Sequence, residues 1–226
     1  MLEIQKKIST TLKSIEGSLN FSHRDNKTLK IIAVSKKKPI EMISQALEAG
    51  ILNFGENYLQ ESIEKVKFFK GSKIIWHFIG SIQSNKCKDI AENFDWVHTV
   101  DRIKTAKLLS KFCPNGKRLN ILIQINIDSE ETKSGVSENE LIDIAMEIDN
   151  LPNLNLKGIM VIPENKEDKN DLSESFKKTF LLSNKLQMKI KTADEISMGM
   201  SGDYNLAIEN GSTMVRIGTG IFGERN

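Results

Sequence analysis

The stretch IIAVSKKKPIEMISQALEAG, residues 31–50, combines the pattern of a buried β-strand with that of an α-helix. Its opening run of apolar and β-branched residues is typical of a strand in a sheet that is covered on both faces. Pro39 suits the first turn of a helix, and Gly50 suits the position just past the end of one. The stretch therefore predicts one strand–helix unit with three lysines, residues 36–38, where the strand ends.

The same pattern recurs along the chain, and no linker or low-complexity segment divides it. We predict strands at residues 31–34, 51–54, 74–79, 96–100, 119–127, 156–162, 195–198 and 213–218. We predict helices at residues 2–19, 39–49, 58–69, 85–93, 103–112, 137–149, 172–188 and 204–208. Parallel strands need crossover connections, most often helices, so this alternation favours a parallel sheet.

Eight strands in such a sheet are the number that closes a (β/α)8 barrel, the TIM barrel, and 226 residues is near the lower end of its size range. Only TGIFGERN follows the last predicted strand, which is too short for a full eighth helix. We expect the N-terminal helix to fill that place in the outer ring. An open doubly wound sheet is the alternative, but no G-x-G-x-x-G follows the first strand. The prediction is a single α/β domain over residues 1–226.

Composition argues against several classes of function. The chain is 39% hydrophobic and 27% charged with a net charge of +2, which gives little support for a nucleic-acid surface. The first residues lack the apolar core of a signal peptide, and no apolar run is long enough to span a membrane. Cys87 and Cys113 are too few for a disulfide framework, and they lack the CxxC spacing of a zinc site. We therefore expect a cytoplasmic protein that binds neither nucleic acid, nor membrane, nor metal.

The loops after strands seven and eight carry a pattern that suits a phosphate group. In TIM barrels the loops after the strands form the active face, and these two often bind phosphate. The segment MGMSGD offers the hydroxyl group of Ser201, and RIGTG offers Gly218 and Thr219 with backbone donors. Gly-rich turns that merely close the barrel are the alternative for either segment alone. Their joint occurrence at both positions favours a phosphate site.

Lys36 lies nearest the end of the first strand, so its amino group has the least freedom to reach water. A desolvated lysine loses part of its pKa and serves as an amine nucleophile, as Schiff-base chemistry requires. The spacing alone also fits a solvated lysine at a strand end. A phosphate site across the same barrel mouth favours the first interpretation, in which Lys36 holds a phosphorylated carbonyl compound.

Eight motifs support a resemblance that runs in order from residue 31 to residue 225. They are AVSKKKP, FGENYLQE, WHFIGSIQSNK, ILIQINI, KSG, KGIMVIP, SMGMSGD and GSTMVRIGTGIFGER. Together they resemble the pyridoxal phosphate homeostasis protein family, which is similar to the barrel domain of alanine racemase, the fold type III of pyridoxal phosphate proteins. The resemblance implies a protein that binds pyridoxal 5′-phosphate (PLP) and acts in vitamin B6 and amino-acid balance, without established turnover of a substrate.

The resemblance implies cofactor contacts for seven residues, namely Lys36, Asn57, His77, Ser201, Arg216, Gly218 and Thr219. Lys36 would form the internal aldimine, and Arg216 would face the pyridine nitrogen. Ser201, Gly218 and Thr219 would hold the phosphate group. The asparagine and the histidine would lie near the ring. For the histidine, a hydrogen-bonded position in the core is an equally good interpretation.

Several neighbouring positions carry weaker expectations. We expect Ser197 and Met198 to form part of the wall of the site without contacting the cofactor. We expect Lys37 and Lys38 to contribute only to its electrostatic surroundings. The chain also departs from the family pattern twice. Gly202 stands where an acidic residue is frequent, and position 81 carries serine where proline is usual. The first departure predicts a more flexible start to the helix after strand seven.

Three functions from different classes fit these residues: a PLP carrier or regulator, a PLP-dependent amino-acid racemase, and a sugar-phosphate barrel enzyme. An arginine at the ring nitrogen disfavours its protonation and makes the ring a poor electron sink, although racemisation remains feasible. A two-base racemase needs a second acid or base, which in alanine racemases is a tyrosine from the partner chain's second domain. Eight strand–helix units use up this chain, and neither Tyr58 nor Tyr204 can be assigned that role. We therefore expect a non-catalytic, monomeric carrier that also meets free amino acids and PLP-dependent apo-enzymes.

Overall fold

A computed structural model describes residues 2–25, 28–128, 130, 134–164 and 168–224, and in this part of the chain eight parallel strands form a closed barrel. The strands are β1 (Lys30–Val34), β2 (Asn53–Glu56), β3 (Ile75–Phe78), β4 (Trp96–Val100), β5 (Leu119–Ile125), β6 (Leu154–Val161), β7 (Glu195–Met200) and β8 (Met214–Ile217). Each strand pairs with the next, and β8 pairs with β1. The predicted TIM barrel is confirmed, and the open sheet is wrong.

The helices lie outside the barrel in the described part of the chain. They are α1 (Leu2–Phe21), α2 (Ile40–Glu48), α3 (Leu59–Phe68), α4 (Cys87–Asn93), α5 (Ile103–Phe112), α6 (Leu141–Asp149), α7 (Lys169–Lys189), α8 (Tyr204–Glu209) and α9 (Thr219–Phe222). None of the helices described is both long and apolar enough to cross a membrane.

The N-terminal helix completes the outer ring, as predicted. Its apolar face buries Ile4, Ile8 and Ile15, which recur at the spacing of a helix that packs one side on a core. The helix contacts α2, α8 and α9. The Thr11 hydroxyl donates a 2.8 Å hydrogen bond to the carbonyl of Gly220, so α1 also covers the short helix that follows β8.

Several element boundaries differ from the prediction by one to four residues, and for two of them the contacts give the reason. The second strand starts at Asn53, not at residue 51, because Ile51 N–H bonds back to the Ala46 carbonyl and its side chain packs under the helices. The sixth helix starts at Leu141, since the carboxylate of Glu140 folds back onto Ser137 and holds residues 137–140 in a turn. Apolar content alone does not separate these turns from the elements that they join.

The barrel divides its buried residues into two sets. A large cluster fills the space between strands and helices, whereas a small one, Ile32, Trp96, Leu122, Met160 and Met214, fills the barrel interior. Because side chains alternate along a strand, Val34 and Lys36 follow Ile32 on the interior row, and Ala33 and Ser35 face the helices. The row of Lys36 is therefore the one that points into the barrel mouth.

Candidate functional site

The turn after β1 fixes how Lys36 leaves the strand. Ser35 N–H still bonds to the carbonyl of Gly55 at 3.0 Å, so the pairing with β2 extends one residue past the strand. Lys38 N–H then donates to the Ser35 carbonyl at 3.0 Å, and Lys37 adopts a left-handed φ of 59°. Lys36 is half-buried at the centre of this turn.

A buried ion cluster anchors the same turn from the helix side. Glu56 is fully buried, and its Oε1 accepts hydrogen bonds from the Ser35 hydroxyl at 2.7 Å and from Lys65 Nζ at 2.8 Å. Lys65 Nζ also donates to the Ser35 carbonyl, and Glu61 accepts from both Lys65 and the Lys37 N–H. Burial raises the pKa of Glu56, and the nearby Lys65 opposes that rise. The backbone before Lys36 is therefore held by charged side chains.

The residues predicted to bind phosphate come together at the ends of β7 and β8. Gly218 N–H donates to the Ser201 hydroxyl oxygen at 3.1 Å, and Thr219 is exposed at the first position of α9. Gly199 is needed behind them: its φ is +93°, and a Cβ there would lie 2.6 Å from the Cβ of Ala207. The close packing of β7 on α8 sets the position of the Ser201 turn.

Lys38 links the turn after β1 to this second cluster. Its Nζ donates to the carbonyls of Gly223 and Glu224, both at 3.3 Å, just after α9. Lys37, by contrast, is exposed, and its Nζ lies 5.7 Å from the centre of the Tyr58 ring. Of the two lysines, Lys38 is therefore the one that joins the turn after β1 to the segment after α9.

Arg216 lies in the barrel interior and is 4% exposed. Its Nη1 donates to the Ser197 carbonyl at 2.8 Å and to the Ser197 hydroxyl at 2.7 Å, and its Nη2 donates to the Val161 carbonyl at 3.0 Å. No acceptor for its Nε–H is found among the residues described. Burial lowers the pKa of Arg216 to about 10, with Asp203 opposing, so the guanidinium keeps its charge at neutral pH.

Asn57 offers a polar atom that lacks a protein partner. It follows β2 on the interior row, and its Oδ1 is buried without a hydrogen bond to any described residue. A Cβ at Gly80 would lie 2.0 Å from the Asn57 carbonyl oxygen, so only glycine lets the loop after β3 pack here. Buried polar atoms are nearly always paired, so this orphan acceptor fits a site that a polar ligand completes.

His77 has both ring nitrogens occupied within the barrel. Nδ1 lies 2.9 Å from His98 Nε2, Nε2 lies 3.0 Å from Asn53 Oδ1, and the ring stacks on Trp96 with centroids 5.6 Å apart. Burial, with a smaller contribution from the charge of Lys30, lowers the pKa of His77 to about 3. The structure thus gives His77 hydrogen-bonded partners in the core, and its contact with a cofactor ring stays a prediction.

Sequence reasoning missed His98 and undervalued Ser197. His98 is fully buried, and its Nδ1 lies 3.0 Å from the Ser197 hydroxyl, which also binds Arg216. Alternation in WVHTV places His98 on the same row as Trp96, and that pattern could have identified it. Met198 packs outward in the main core, between the strands and the helices, and not into the barrel interior.

The departure at Gly202 has a local compensation. The backbone there does not have a positive φ, and a Cβ would meet no atom within 4 Å. Asp203, one residue later, accepts a hydrogen bond from Met200 N–H and closes the turn before α8. A carboxylate is therefore present in this turn, one residue after Gly202, and the greater flexibility of the helix start stays a prediction.

Comparison with known proteins shows the family of this chain. A family model described as the alanine racemase N-terminal domain matches residues 20–226. The pyridoxal phosphate homeostasis protein of Vibrio alginolyticus is 46% identical over 231 residues, covering 100% of this chain and 99% of its own length. The protein with that name from Pasteurella multocida is 44% identical over 230 residues, covering 100% and 99%. This chain belongs to the pyridoxal phosphate homeostasis protein family.

Solved structures place this family member beside two kinds of protein. PipY of Synechococcus elongatus, solved with PLP bound, superposes with a TM-score of 0.86 at 28% identity, covering 98% of this chain and 100% of PipY. Histidine racemase from Leuconostoc mesenteroides superposes with a TM-score of 0.74 at 18% identity, covering 97% of this chain and 58% of the racemase. The second likeness shows a shared barrel fold alone.

Proposed function

We propose that this protein binds PLP at the barrel mouth as a Schiff base on Lys36 and acts in intracellular PLP and amino-acid balance without substantial turnover. One observation carries the proposal: the turn that bears Lys36 and the loop that bears the predicted phosphate ligands are adjacent. A Cβ built on Gly218 would lie 3.7 Å from the Cβ of Val34. A compound with an aldehyde and a phosphate group can therefore reach both loops at once.

Lys36 supplies the amine. In the proposed site its neutral amino group would hold the aldehyde carbon of PLP, with the aldehyde oxygen lost as water together with two amine protons. The turn and the ion cluster behind it hold the lysine backbone while the side chain follows the interior row. When bound, the cofactor supplies an electrophilic imine that free amino acids can exchange onto.

The remaining residues bind and orient. The Ser201 hydroxyl accepts from Gly218 N–H, so its own proton remains to be donated to a phosphate oxygen, and Thr219 offers a second hydroxyl. Arg216 has an Nε–H without a described acceptor, which suits the lone pair of a pyridine nitrogen. Asn57 Oδ1, buried and unpaired among the described residues, offers an acceptor that supports the expected place of Asn57 near the ring.

The same residues support holding over conversion. The charged guanidinium of Arg216 disfavours a proton on the ring nitrogen, because two neighbouring positive charges repel. Tyr58 is 49% exposed on the outward row, and Tyr204 packs into the main core, so neither is supported as a second base. The name of the relatives, homeostasis protein, agrees with this proposal. A monomer that exchanges PLP with apo-enzymes completes it.

Spectroscopic titration tests the binding proposal directly. The purified protein, stripped of cofactor, should take up one PLP per chain and develop visible absorbance, whereas a sugar phosphate should neither bind tightly nor compete. Transfer to a PLP-dependent apo-enzyme should then follow on mixing. Tight binding of a sugar phosphate without PLP uptake would contradict the proposal and favour the sugar-phosphate enzyme.

A further inference from the structure

A continuous hydrogen-bond chain crosses the barrel interior behind Arg216. Its Nη1 bonds to Ser197 Oγ at 2.7 Å, and Ser197 Oγ lies 3.0 Å from His98 Nδ1. His98 Nε2 lies 2.9 Å from His77 Nδ1, and His77 Nε2 lies 3.0 Å from Asn53 Oδ1. The five residues of this hydrogen-bond chain lie on five different strands, in the order β8, β7, β4, β3 and β2. None of its three middle members is exposed to solvent.

The chemistry of the two ends gives the chain a direction. The Arg216 guanidinium can only donate hydrogen bonds, and the side-chain amide oxygen of Asn53, Oδ1, can only accept them. A neutral imidazole has one donor and one acceptor nitrogen, so His77 must donate from Nε2 and accept at Nδ1. By the same reasoning, His98 donates from Nε2, and its Nδ1 accepts a hydrogen bond from the Ser197 hydroxyl. Every hydrogen bond then points away from Arg216.

The surroundings favour neutral imidazoles. Lys30 and Arg216 are the cations near the pair, and no carboxylate in the described part of the chain is hydrogen-bonded to either ring. Burial lowers the pKa of both His77 and His98. A charged His98 would donate from both nitrogens. Ser197 Oγ would then face two cationic donors, and the direction of the chain would be lost.

We propose that Ser197, His98, His77 and Asn53 act together as positioning residues for Arg216. His98 Nδ1 accepts the hydrogen bond that the Ser197 hydroxyl donates, and this keeps a lone pair of the Ser197 oxygen aimed at Arg216 Nη1. That edge of the guanidinium is then held against β7, and the Nε–H edge is left for the ring nitrogen of PLP. This role for the arginine rests on the proposed function, whereas the direction of the chain does not.

Histidine tautomers in the cofactor-free protein test the chain itself. Nitrogen-15 NMR of histidine-labelled protein at pH 7 should report both His77 and His98 as neutral with the proton on Nε2. His98→Asn and His77→Gln assign the two signals. A proton on Nδ1 of either ring, or a charged ring at that pH, would overturn the proposed direction.

Variants of His98 test the effect on the bound cofactor. Asparagine places an acceptor oxygen near the Nδ1 position, whereas His98→Leu removes it. Asn120→Ala provides a control. Asn120 lies in the barrel interior, but its hydrogen-bond partners, Asp95 and Asn155, do not belong to the hydrogen-bond chain of Arg216. With PLP labelled at the ring nitrogen, His98→Leu should move the nitrogen-15 signal and raise the dissociation constant roughly tenfold.

His98→Asn and Asn120→Ala should keep the wild-type chemical shift of the ring nitrogen, even where their melting temperature falls. An unmoved shift in both His98→Leu and Ser197→Ala, at full occupancy, would reduce the chain to a structural feature and overturn the positioning role. Failure of PLP to bind the wild type would instead contradict the proposed function, and the tautomers would still decide the direction of the chain.

Discussion

Lys65 Nζ lies 2.8 Å from the backbone carbonyl oxygen of Ser35, so a buried ammonium from α3 holds the residue directly before Lys36. The same ammonium pairs with Glu56, the last residue of β2, which is fully buried. A charge pair removed from water is costly to break by removing one partner, because the other charge stays buried. The position of the predicted cofactor lysine and the stability of the barrel thus share a set of contacts.

The first prediction concerns this cluster. Lys65→Met should lower the free energy of unfolding by about 3–5 kcal/mol, since Glu56 keeps a buried charge or must take up a proton. Lys65→Met combined with Glu56→Gln should recover part of that loss. Lys107→Met, which breaks an exposed pair with Glu147, should change stability by less than about 0.5 kcal/mol. Urea unfolding measures all three, and an equal effect at Lys65 and Lys107 would contradict the prediction.

The phosphate ligands should act on phosphate and not on the ring. A hydrogen bond to a charged group is worth roughly 1.5–3 kcal/mol, so Ser201→Ala and Thr219→Val should each weaken PLP binding by about ten- to a hundredfold. Pyridoxal, which lacks the phosphate, should bind all forms nearly alike. Gly202→Ala, in open space in the same turn, serves as the control. Equal losses for the two ligands would argue against a phosphate role.

Stability should depend on pH through the buried histidines. His77 has a folded pKa of about 3 against about 6.5 in an unfolded chain, so below pH 6.5 the unfolded state takes up a proton that the folded state refuses. Its contribution is therefore complete above pH 6.5 and is lost as the pH falls, at about 1.4 kcal/mol per pH unit. Burial also lowers the pKa of His98, so His98 likewise makes the fold less stable as the pH falls. The raised pKa of Glu56 has the opposite effect, since its contribution to stability is lost as the pH rises.

Replacing one histidine isolates its share. Between pH 6 and pH 5, the unfolding free energy of His77→Gln should fall less steeply than that of the wild type, by about 1.4 kcal/mol per pH unit. Identical slopes for wild type and His77→Gln would show that the imidazole at position 77 is not held neutral.

Turnover of amino acids should be slow at most. In the proposed site the guanidinium of Arg216 would disfavour a protonated ring, and general acid–base assistance from a second group is worth roughly 10²–10⁴-fold. We expect exchange of the amino-acid Cα–H for deuterium far below the rate of about 10 per second that is typical of enzymes. Mass spectrometry with chirality analysis measures both events. Sustained racemisation near that typical rate would replace the carrier with the racemase.

The sequence predicts the barrel well because its signal is local. Each strand–helix unit carries its own apolar run and breaker residues, and the two alternating rows on β1 follow from the pleat of a strand. The start of β2 was wrong by two residues because Ile51 is apolar for packing under a helix, not for pairing in a sheet. Apolar character identifies burial, but it does not tell which layer a residue is buried in.

The site was less predictable where its contacts run across the barrel. His98 and Ser197 touch although they are 99 residues apart, and no spacing rule connects them. Lys65 lies on the helix after Glu56, so their pairing depends on how α3 packs against β2. The motifs identified loops with chemistry, whereas the support behind them depends on the closed barrel.

Borohydride reduction of the PLP-loaded protein, followed by peptide mapping, tests the central claim most directly. We predict a single pyridoxyl label on Lys36, loss of visible absorbance in Lys36→Ala, and retention of both label and absorbance in Lys37→Ala, the exposed neighbour in the same turn. A Lys36→Ala protein that stays yellow and is labelled on another lysine would contradict the account.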